Sequence, residues 1–268
     1  MNMPTLSDQE FKQFQAMIYD IAGISMSPAK KPLISGRLVK RVKHHGLASF
    51  GDYFRVLMKE DSRAELQVAV DLLTTNETYF FRESKHFDFM RNYILPQHTH
   101  GKPFRVWSAA SSSGQEPYSI AMTLADGLGD KPWEIVASDI STRVLEKARS
   151  GHYPMEQAED IPKHYLSSYC LKGVGSQDGT FLIERSMRSR VNFMQVNLNQ
   201  ALPKLGEFDL IFLRNVMIYF DTETKRQVVR RIMELLKPGG YLLIGHSESL
   251  NGVVDELQSV MPSVYRKP

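Results

Sequence analysis

The stretch FRVWSAASSSGQEPYSIAM, Phe104 to Met122, constrains the fold more than any other part of the chain. Phe104, Val106 and Trp107 are β-formers around Arg105 and predict a buried strand. Small residues follow from Ser108 to Gly114, and Tyr118, Ile120 and Met122 then lie on or near the inner face of a helix. Strand, small-residue turn and helix make the opening of a βαβ unit. Small side chains let a ligand approach the backbone, and the free N–H groups of a helix start favour a ligand's negative end. The dinucleotide fingerprint is not met, because it needs three glycines and only Gly114 stands here. The next strand, Trp133 to Ser138, ends at Asp139. That is roughly 20 residues past the turn, where nucleoside-binding α/β folds carry an acid for ribose hydroxyls. Asp139 also suits an N-cap for a helix starting near Thr142, and Ser141 offers an alternative cap.

Composition narrows the classes. A chain of 268 residues with 42% hydrophobic residues buries a sizeable core and suits one large or two modest domains. The single Cys170 excludes an intramolecular disulfide and fits a reducing compartment. Asp8, Glu10 and Lys12 interrupt any apolar leader, and no stretch approaches the roughly 18 apolar residues of a membrane span. These features predict a cytoplasmic protein without membrane insertion. A net charge of +3 does not imply a nucleic-acid partner, and its distribution is more informative.

Residues 1–75 read as an all-helical domain. Ser7 and Glu10 form a capping box before Phe11, Phe14, Ile18 and Ile21, and Gly23 ends that helix. A second helix is expected from about Lys30 to His45, with Ile34, Leu38 and Val42 as its inner stripe. Arg37, Lys40, Arg41 and His44 follow the same rhythm on an adjacent face. No acidic residue occurs between Lys30 and Gly51, whereas an ordinary solvated face mixes both signs. This face predicts a docking surface for an acidic partner. Further helices are expected near Ser49 to Lys59 and Arg63 to Leu73, and Ser84 is expected to cap one through Tyr93.

Residues 76–268 then alternate strand and helix, with an interruption at about 150–190. Glycines, prolines and the short runs Tyr169 to Leu171, Thr180 to Glu184 and Val191 to Val196 predict an inserted antiparallel hairpin or small sheet there. Phe208 to Leu213 reads as a central parallel strand. Thr222 is expected to cap a helix to Leu236. Lys237-Pro238-Gly239-Gly240 is expected to turn into a strand, and two short strands flank Met261-Pro262.

Several stretches together resemble the chemoreceptor glutamate methyltransferases, the CheR family. They are TTNETYFFRE (Thr74 to Glu83), RVWSAASSSGQEPYSIAM (Arg105 to Met122), ASDIS (Ala137 to Ser141) and Asn197-Leu198. FLRNVMIYFD (Phe212 to Asp221), LKPGGYLLIGHSESL (Leu236 to Leu250) and VYRK (Val264 to Lys267) complete the set in the family's order. The resemblance implies an α/β fold: a class I, Rossmann-like S-adenosylmethionine-dependent methyltransferase domain with an inserted antiparallel β-subdomain, preceded by a small all-helical domain. It implies methyl transfer to glutamate side chains on the cytoplasmic helical domain of chemotaxis receptors, with S-adenosylhomocysteine as product. By the family pattern Asn76, Thr78, Arg82, Glu116 and Asp139 contact the cofactor, as do Asn197, Leu198, Arg214 and Asn215. Gln115 and Ser111 to Ser113 depart from the commonest family turn, but Glu116 is kept.

The residue types agree with that chemistry. A sulfonium methyl is already activated, and a glutamate with a pKa of about 4.3 is ionised at neutral pH and needs no general base. Alignment and removal of water remain, with reacting atoms about 3 to 3.5 Å apart. Arg82 suits the cofactor's carboxylate through its planar fork. Glu116 takes either an amino or an adenosyl donor. Tyr219 follows the strand-end pair Arg214-Asn215 and either orients the incoming carboxylate or packs beside Phe220. Arg214 after an apolar strand requires a ligand or partner to satisfy it. His246 reads as a structural hydrogen-bonding residue, and the scattered histidines with one cysteine give no metal-ligand spacing, so no metal is expected.

Two other classes compete: a methyltransferase acting on a small molecule, and a nucleic-acid module using Arg37, Lys40, Arg41 and Lys43. The all-basic helix argues against the first. The lack of aromatics between Lys30 and His45 argues against the second. A receptor's C-terminal peptide adding a strand to the β-subdomain stays open: Gly173 and Gly175 leave room, but Leu182 stands where a basic residue is expected. A monomer is expected.

Overall fold

The computed structural model describes residues 4–98 and 101–268. The first helix, α1 (Asp8–Ala22), starts where its sequence dictates. Ser7 Oγ accepts the Glu10 amide at 3.2 Å, and the Glu10 carboxylate returns a bond to the Ser7 amide at 2.8 Å. Gly23, at φ +70°, closes it. The helices α2 (Lys31–His44), α3 (Phe50–Leu57) and α4 (Arg63–Leu73) pack against it. Phe14, Ile18, Ile34, Leu38, Phe50 and Tyr53 are all fully buried between them. Each such side chain contributes about 1.5 to 3 kcal/mol.

The chain then makes a short helix, α5 (Lys85–Phe89). It widens into a π-helical turn over Met90–Ile94 and tightens over Leu95–Gln97, instead of forming one helix to Tyr93. Pro96, which has no N–H to give, lies in that last tight turn. Ser84 is itself helical and does not cap.

A seven-stranded sheet forms the centre of residues 104–266, in the order β6-β2-β1-β7-β8-β10-β9. Its parallel part comprises β6 (Val191–Gln195), β2 (Trp133–Asp139), β1 (Phe104–Ser108), β7 (Phe208–Leu213) and β8 (Leu236–Ile244). The antiparallel edge comprises β10 (Val264–Arg266) and β9 (Gln258–Met261). Alternate residues of the central strands bury on opposite faces. Val106, Leu210 and Phe212 face one core with Ile120 of helix α6 (Gln115–Leu128). Trp107, Ile211 and Leu213 face another with Val228 and Ile232 of helix α10 (Thr222–Glu234). The chain runs from β1 outward through β2 and β6, then returns to β7 on the other side of β1. That reversal opens a crevice at the carboxyl ends of β1 and β7, where ligands of open α/β sheets bind.

The interruption holds a three-stranded antiparallel sheet, β3 (His152–Pro154), β5 (Thr180–Ile183) and β4 (Cys170–Lys172), with β5 central. Helix α8 (Lys163–Tyr169) precedes β4, and the single turn α9 (Arg185–Arg188) follows β5. The run Val191 to Val196, grouped with this insertion from sequence, instead supplies the edge strand β6 (Val191–Gln195) of the main sheet, paired in parallel with β2. The strand that takes its place, β3, is three residues long and ends in a proline, too short to show a period.

Three start signals also differ. Asp221, not Thr222, caps α10 by accepting the Thr224 amide at 2.8 Å. The strand β8 begins at Leu236, before the glycine pair, and its pairing with β7 shifts register between Phe208 and Leu210. Helix α7 (Thr142–Ser150) is capped from outside: Asp71 in α4 accepts the Thr142 and Arg143 amides, both at 3.1 Å, and the Thr142 hydroxyl at 2.8 Å. This buried carboxylate ties the helical segment to the sheet-bearing one. Among the described residues no helix is long and apolar enough to cross a membrane.

Candidate active site

A cavity of about 880 Å³, open water at its mouth included, lies at the crevice. The ends of β1, β2 and β7 supply Ala109, Asp139 and Arg214 to its wall, and Thr74 to Thr78 and Arg82 supply one flank. Val196, Asn197 and Leu198 follow β6, and Asn215, Val216 and Tyr219 follow β7. Glu116 enters from the first turn of α6. The fold thus gathers around one cavity every cofactor-contact residue that the sequence resemblance implies, together with Tyr219. Ala22 and Ile24, from the end of α1, also line it, and no sequence signal marks them.

The turn after β1 is shaped from both sides. The Ser111 amide donates to the Ser138 carbonyl at 2.8 Å, and Ser112 adopts φ +48°. Gly114 has φ +98°, and a Cβ there would stand 2.7 Å from the Tyr153 hydroxyl and 3.1 Å from Ala148 Cα. Tyr153, on β3, donates its hydroxyl to the Ser113 carbonyl at 2.7 Å, so the inserted sheet buttresses this turn.

Asp139 does not cap α7. Its carboxylate accepts the Ser112 amide and the Ser141 amide, each at 2.9 Å, and is almost fully buried. Burial lifts its pKa from 3.8 to about 6, against the pull of those two amides. Each oxygen keeps acceptor capacity toward the cavity.

Glu116 accepts the Ser108 hydroxyl at 2.7 Å and faces Arg214 Nη1 at 3.2 Å. Burial raises its pKa, and the Arg214 charge offsets this only in part. Arg214 is held largely by the chain itself: its side chain is 1% exposed and sits between Glu116 and Glu83, whose Oε2 lies 3.0 Å from Nη2, while its buried Nε has no hydrogen-bond partner among the described residues. The same nitrogen donates to the Arg82 carbonyl. Burial pushes the Glu83 carboxyl up, but Arg214's charge, the His246 amide and Asn215 hold it below the usual range. Glu83 was missed from sequence, although it directly follows Arg82 in the TYFFRE run.

Glu248 was missed too. Asn215 adopts φ +57°, and Glu248 fixes it by accepting the Asn215 amide at 2.9 Å, the Gly245 amide at 2.7 Å and the Ile218 amide at 3.2 Å. A Cβ at Gly245 would strike Asn215 Nδ2 at 2.6 Å, so glycine is required there. This carboxylate anchors the loop that carries Tyr219. The Tyr219 carbonyl accepts the Ser25 amide at 2.8 Å, and its hydroxyl has no partner among the described residues. Arg82 donates to the Glu77 carbonyl at 3.0 Å, its guanidinium carbon 5.6 Å from the Tyr79 ring. Asn197 turns its amide to the Ile21 carbonyl at 2.7 Å, closing α1 over the cavity.

The basic face of α2 is less uniform than its sequence. Arg37 donates to the Leu73 and Thr74 carbonyls, both at 3.1 Å, and so holds the loop that lines the cavity. Arg41 pairs through Nε with Glu65 at 2.8 Å, and the Tyr53 hydroxyl joins at 2.7 Å. Glu65 comes from α4, so a window of α2 sequence without acids did not reveal it. Lys40, Lys43 and His44 remain exposed.

The profile of the family described as "CheR methyltransferase, SAM binding domain" matches residues 76–265. That of "CheR methyltransferase, all-alpha domain" matches residues 9–74. The chain is 43% identical to the chemotaxis protein methyltransferase of Salmonella typhimurium, over 97% of this chain and 90% of that one. It is 43% identical to the Escherichia coli protein of the same name, over 92% of this chain and 86% of that one. With chemotaxis protein methyltransferase 2 of Pseudomonas aeruginosa it shares 42% identity, over 96% of this chain and 92% of that one. With its sheet order, its cavity at the β1/β7 reversal and this breadth of likeness, the chain belongs to the CheR family of S-adenosylmethionine-dependent methyltransferases.

Proposed function

We propose that the chain methylates glutamate side chains of chemotaxis receptors, taking the methyl group from S-adenosylmethionine in the cavity at the β1/β7 reversal. The observation that supports this most is the pair of acids on the cavity wall, Asp139 and Glu116, whose pKa burial raises. Hydroxyl donors suit the first and a cationic amino group suits the second, which fits a cofactor carrying ribose at one end and an amino acid at the other. Arg82 would hold the cofactor's carboxylate with the donors that Glu77 leaves free. When bound, the cofactor supplies an electrophilic methyl on a positive sulfur.

The chain's part is then positional. Tyr219 presents a hydroxyl at the cavity wall with no partner among the described residues, free to donate to an incoming carboxylate. Glu248 ties that loop, through the Asn215 and Ile218 amides, to the end of β8, whose Gly245 amide it also accepts. No proton needs to be removed from an ionised glutamate, and among the described residues no histidine lines the cavity. A carboxylate oxygen forms the new bond as the sulfur–methyl bond breaks, and the electron pair stays on sulfur.

Lys40, Lys43 and His44 form the exposed docking face for acidic receptor helices, outside the pocket, while Arg37 and Arg41 serve mainly to hold the domain together. The three-stranded insertion offers a second contact. An apolar hollow lined by Leu171, Val174 and Leu182 also contains Lys172 and His152. Lys172 supplies the positive charge that Leu182 does not, so a receptor's C-terminal peptide is the occupant we propose for it. The test is labelled-methyl transfer to receptor-rich membranes, compared with a nucleic-acid shift assay. Label in receptor bands supports the reading; label only in small molecules, or a nucleic-acid shift without transfer, refutes it.

A further inference from the structure

We propose that Glu83, His86 and His246 form a binding site for one divalent transition-metal ion, zinc first among them. The sequence hides this set, because His246 lies far along the chain from the other two. The fold brings one ligand atom of each to within 4.8 Å of the others.

His86, on α5, carries the argument. It is 1% exposed, and its Nε2 lies 2.8 Å from Ser263 Oγ. The Ser263 hydroxyl gives its one proton to the Pro262 carbonyl at 2.6 Å, so it accepts from His86 Nε2–H. With the Ser263 hydroxyl directed at Pro262, we assign the proton of His86 to Nε2, which makes Nδ1 the lone-pair atom. That Nδ1 is buried without any hydrogen-bond partner and lies 3.5 Å from Glu83 Oε2. Arg214 Nη2, 3.0 Å away, already serves that oxygen, so the unmet group is Nδ1, and a metal ion shared with Glu83 would satisfy it.

The third group completes the set. His246 Nε2 lies 3.9 Å from the same Glu83 oxygen, and its ring is 4.9 Å from that of His86. Zinc bonds of about 2.0 to 2.2 Å in a tetrahedron separate ligand atoms by about 3.4 Å. The two distances to Glu83 are close to this, and His246, 47% exposed at its side chain, has room to swing inward. Supporting bonds already orient the ligands: Asn215 Nδ2 at 3.2 Å and the His246 amide at 3.1 Å hold the other Glu83 oxygen. Arg214 pairs with both Glu83 and Glu116, so its one positive charge is shared between two carboxylates. Two imidazoles and one carboxylate suit zinc rather than magnesium or calcium, which prefer all-oxygen sets. The exposed side of His246 leaves a fourth position to water.

The site does not depend on which substrate is methylated, and its test is direct. Chelator-treated full-length protein is titrated with zinc by calorimetry, and with cobalt by visible absorption. We expect one ion per chain, with cobalt bands of a four-coordinate nitrogen and oxygen site. His246→Ala should weaken binding at least tenfold while keeping the thermal melt, since the side chain is half exposed. His86→Gln should do the same; if it fails to fold, His246→Ala alone decides. No ion bound to the wild type, or equal affinity in wild type and a folded His246→Ala, overturns the proposal.

Discussion

Replacing Asp139 by Asn separates ligand binding from folding, because the two effects have different sizes. The carboxylate is raised from 3.8 to about 6 by burial. Roughly two units correspond to about 3 kcal/mol against the ionised form in the cofactor-free protein. The sign follows: an acid with a raised folded pKa costs stability at pH above about 6, and that cost fades as pH falls from 6 toward 3.8. Asn escapes it at neutral pH. However, Asn turns an NH2 toward one of the two amides that Asp139 accepts, leaving a buried donor unpaired at about 1 to 3 kcal/mol. The two changes nearly cancel, so the melting temperature should move little. Ala would orphan both amides and confuse the result. Cofactor affinity has no such compensation. Hydroxyl donors lose a charged acceptor worth about 1.5 to 3 kcal/mol per bond. We therefore expect about 100-fold weaker S-adenosylmethionine binding by calorimetry at pH 7.5. In the wild type, affinity should fall as pH drops through about 6, while the Asn variant stays flat. Unchanged affinity in the variant, or a flat wild-type profile, would refute the ribose assignment.

Other outcomes follow from the same geometry. Tyr219→Phe removes a hydroxyl without a partner among the described residues, so turnover should fall at least tenfold while cofactor affinity holds; wild-type turnover would reduce Tyr219 to packing. Lys40→Glu with Lys43→Glu should sharply reduce receptor methylation at unchanged cofactor affinity. In the wild type, methylation should fall with salt as the Debye length shrinks below about 8 Å, and a salt-independent rate would count against a docking face. Arg41→Glu places a second acid against Glu65, which is 14% exposed and held at a pKa of about 2 despite burial by Arg41, Tyr53 and His45. It should destabilise the protein by about 3 to 5 kcal/mol in denaturant titration, and a change under 1 kcal/mol would mean that the pair is idle.

The parts legible in the sequence are those set by local pattern. The capping box at Ser7, the stripe of Ile34, Leu38 and Val42, and the strand–turn–helix around Gly114 each carry their signal within a few residues. Asp139, Asn197, Leu198, Arg214 and Asn215 lie at or just after strand ends, but Asn76, Thr78, Arg82 and Glu116 do not, and the whole set is legible only through its resemblance to the CheR family. What was lost depends on partners distant in sequence. Asp71 caps α7, Glu65 neutralises Arg41, and Glu83 engages Arg214 131 positions away. An arginine after an apolar strand announces that something satisfies it, but not whether that is a ligand or the chain itself. The strand β6 was misplaced because a short edge strand carries the same pattern in an insertion as in the main sheet.

The group that receives the methyl decides what this enzyme does. A receptor cytoplasmic domain incubated with the protein and S-adenosylmethionine should gain about 14 Da per site, mapped by tandem mass spectrometry to glutamate side chains. Mild alkali should reverse the gain with release of methanol, as a carboxyl ester requires. A stable gain on a nitrogen-bearing side chain, or no gain with a cofactor-binding preparation, would contradict it.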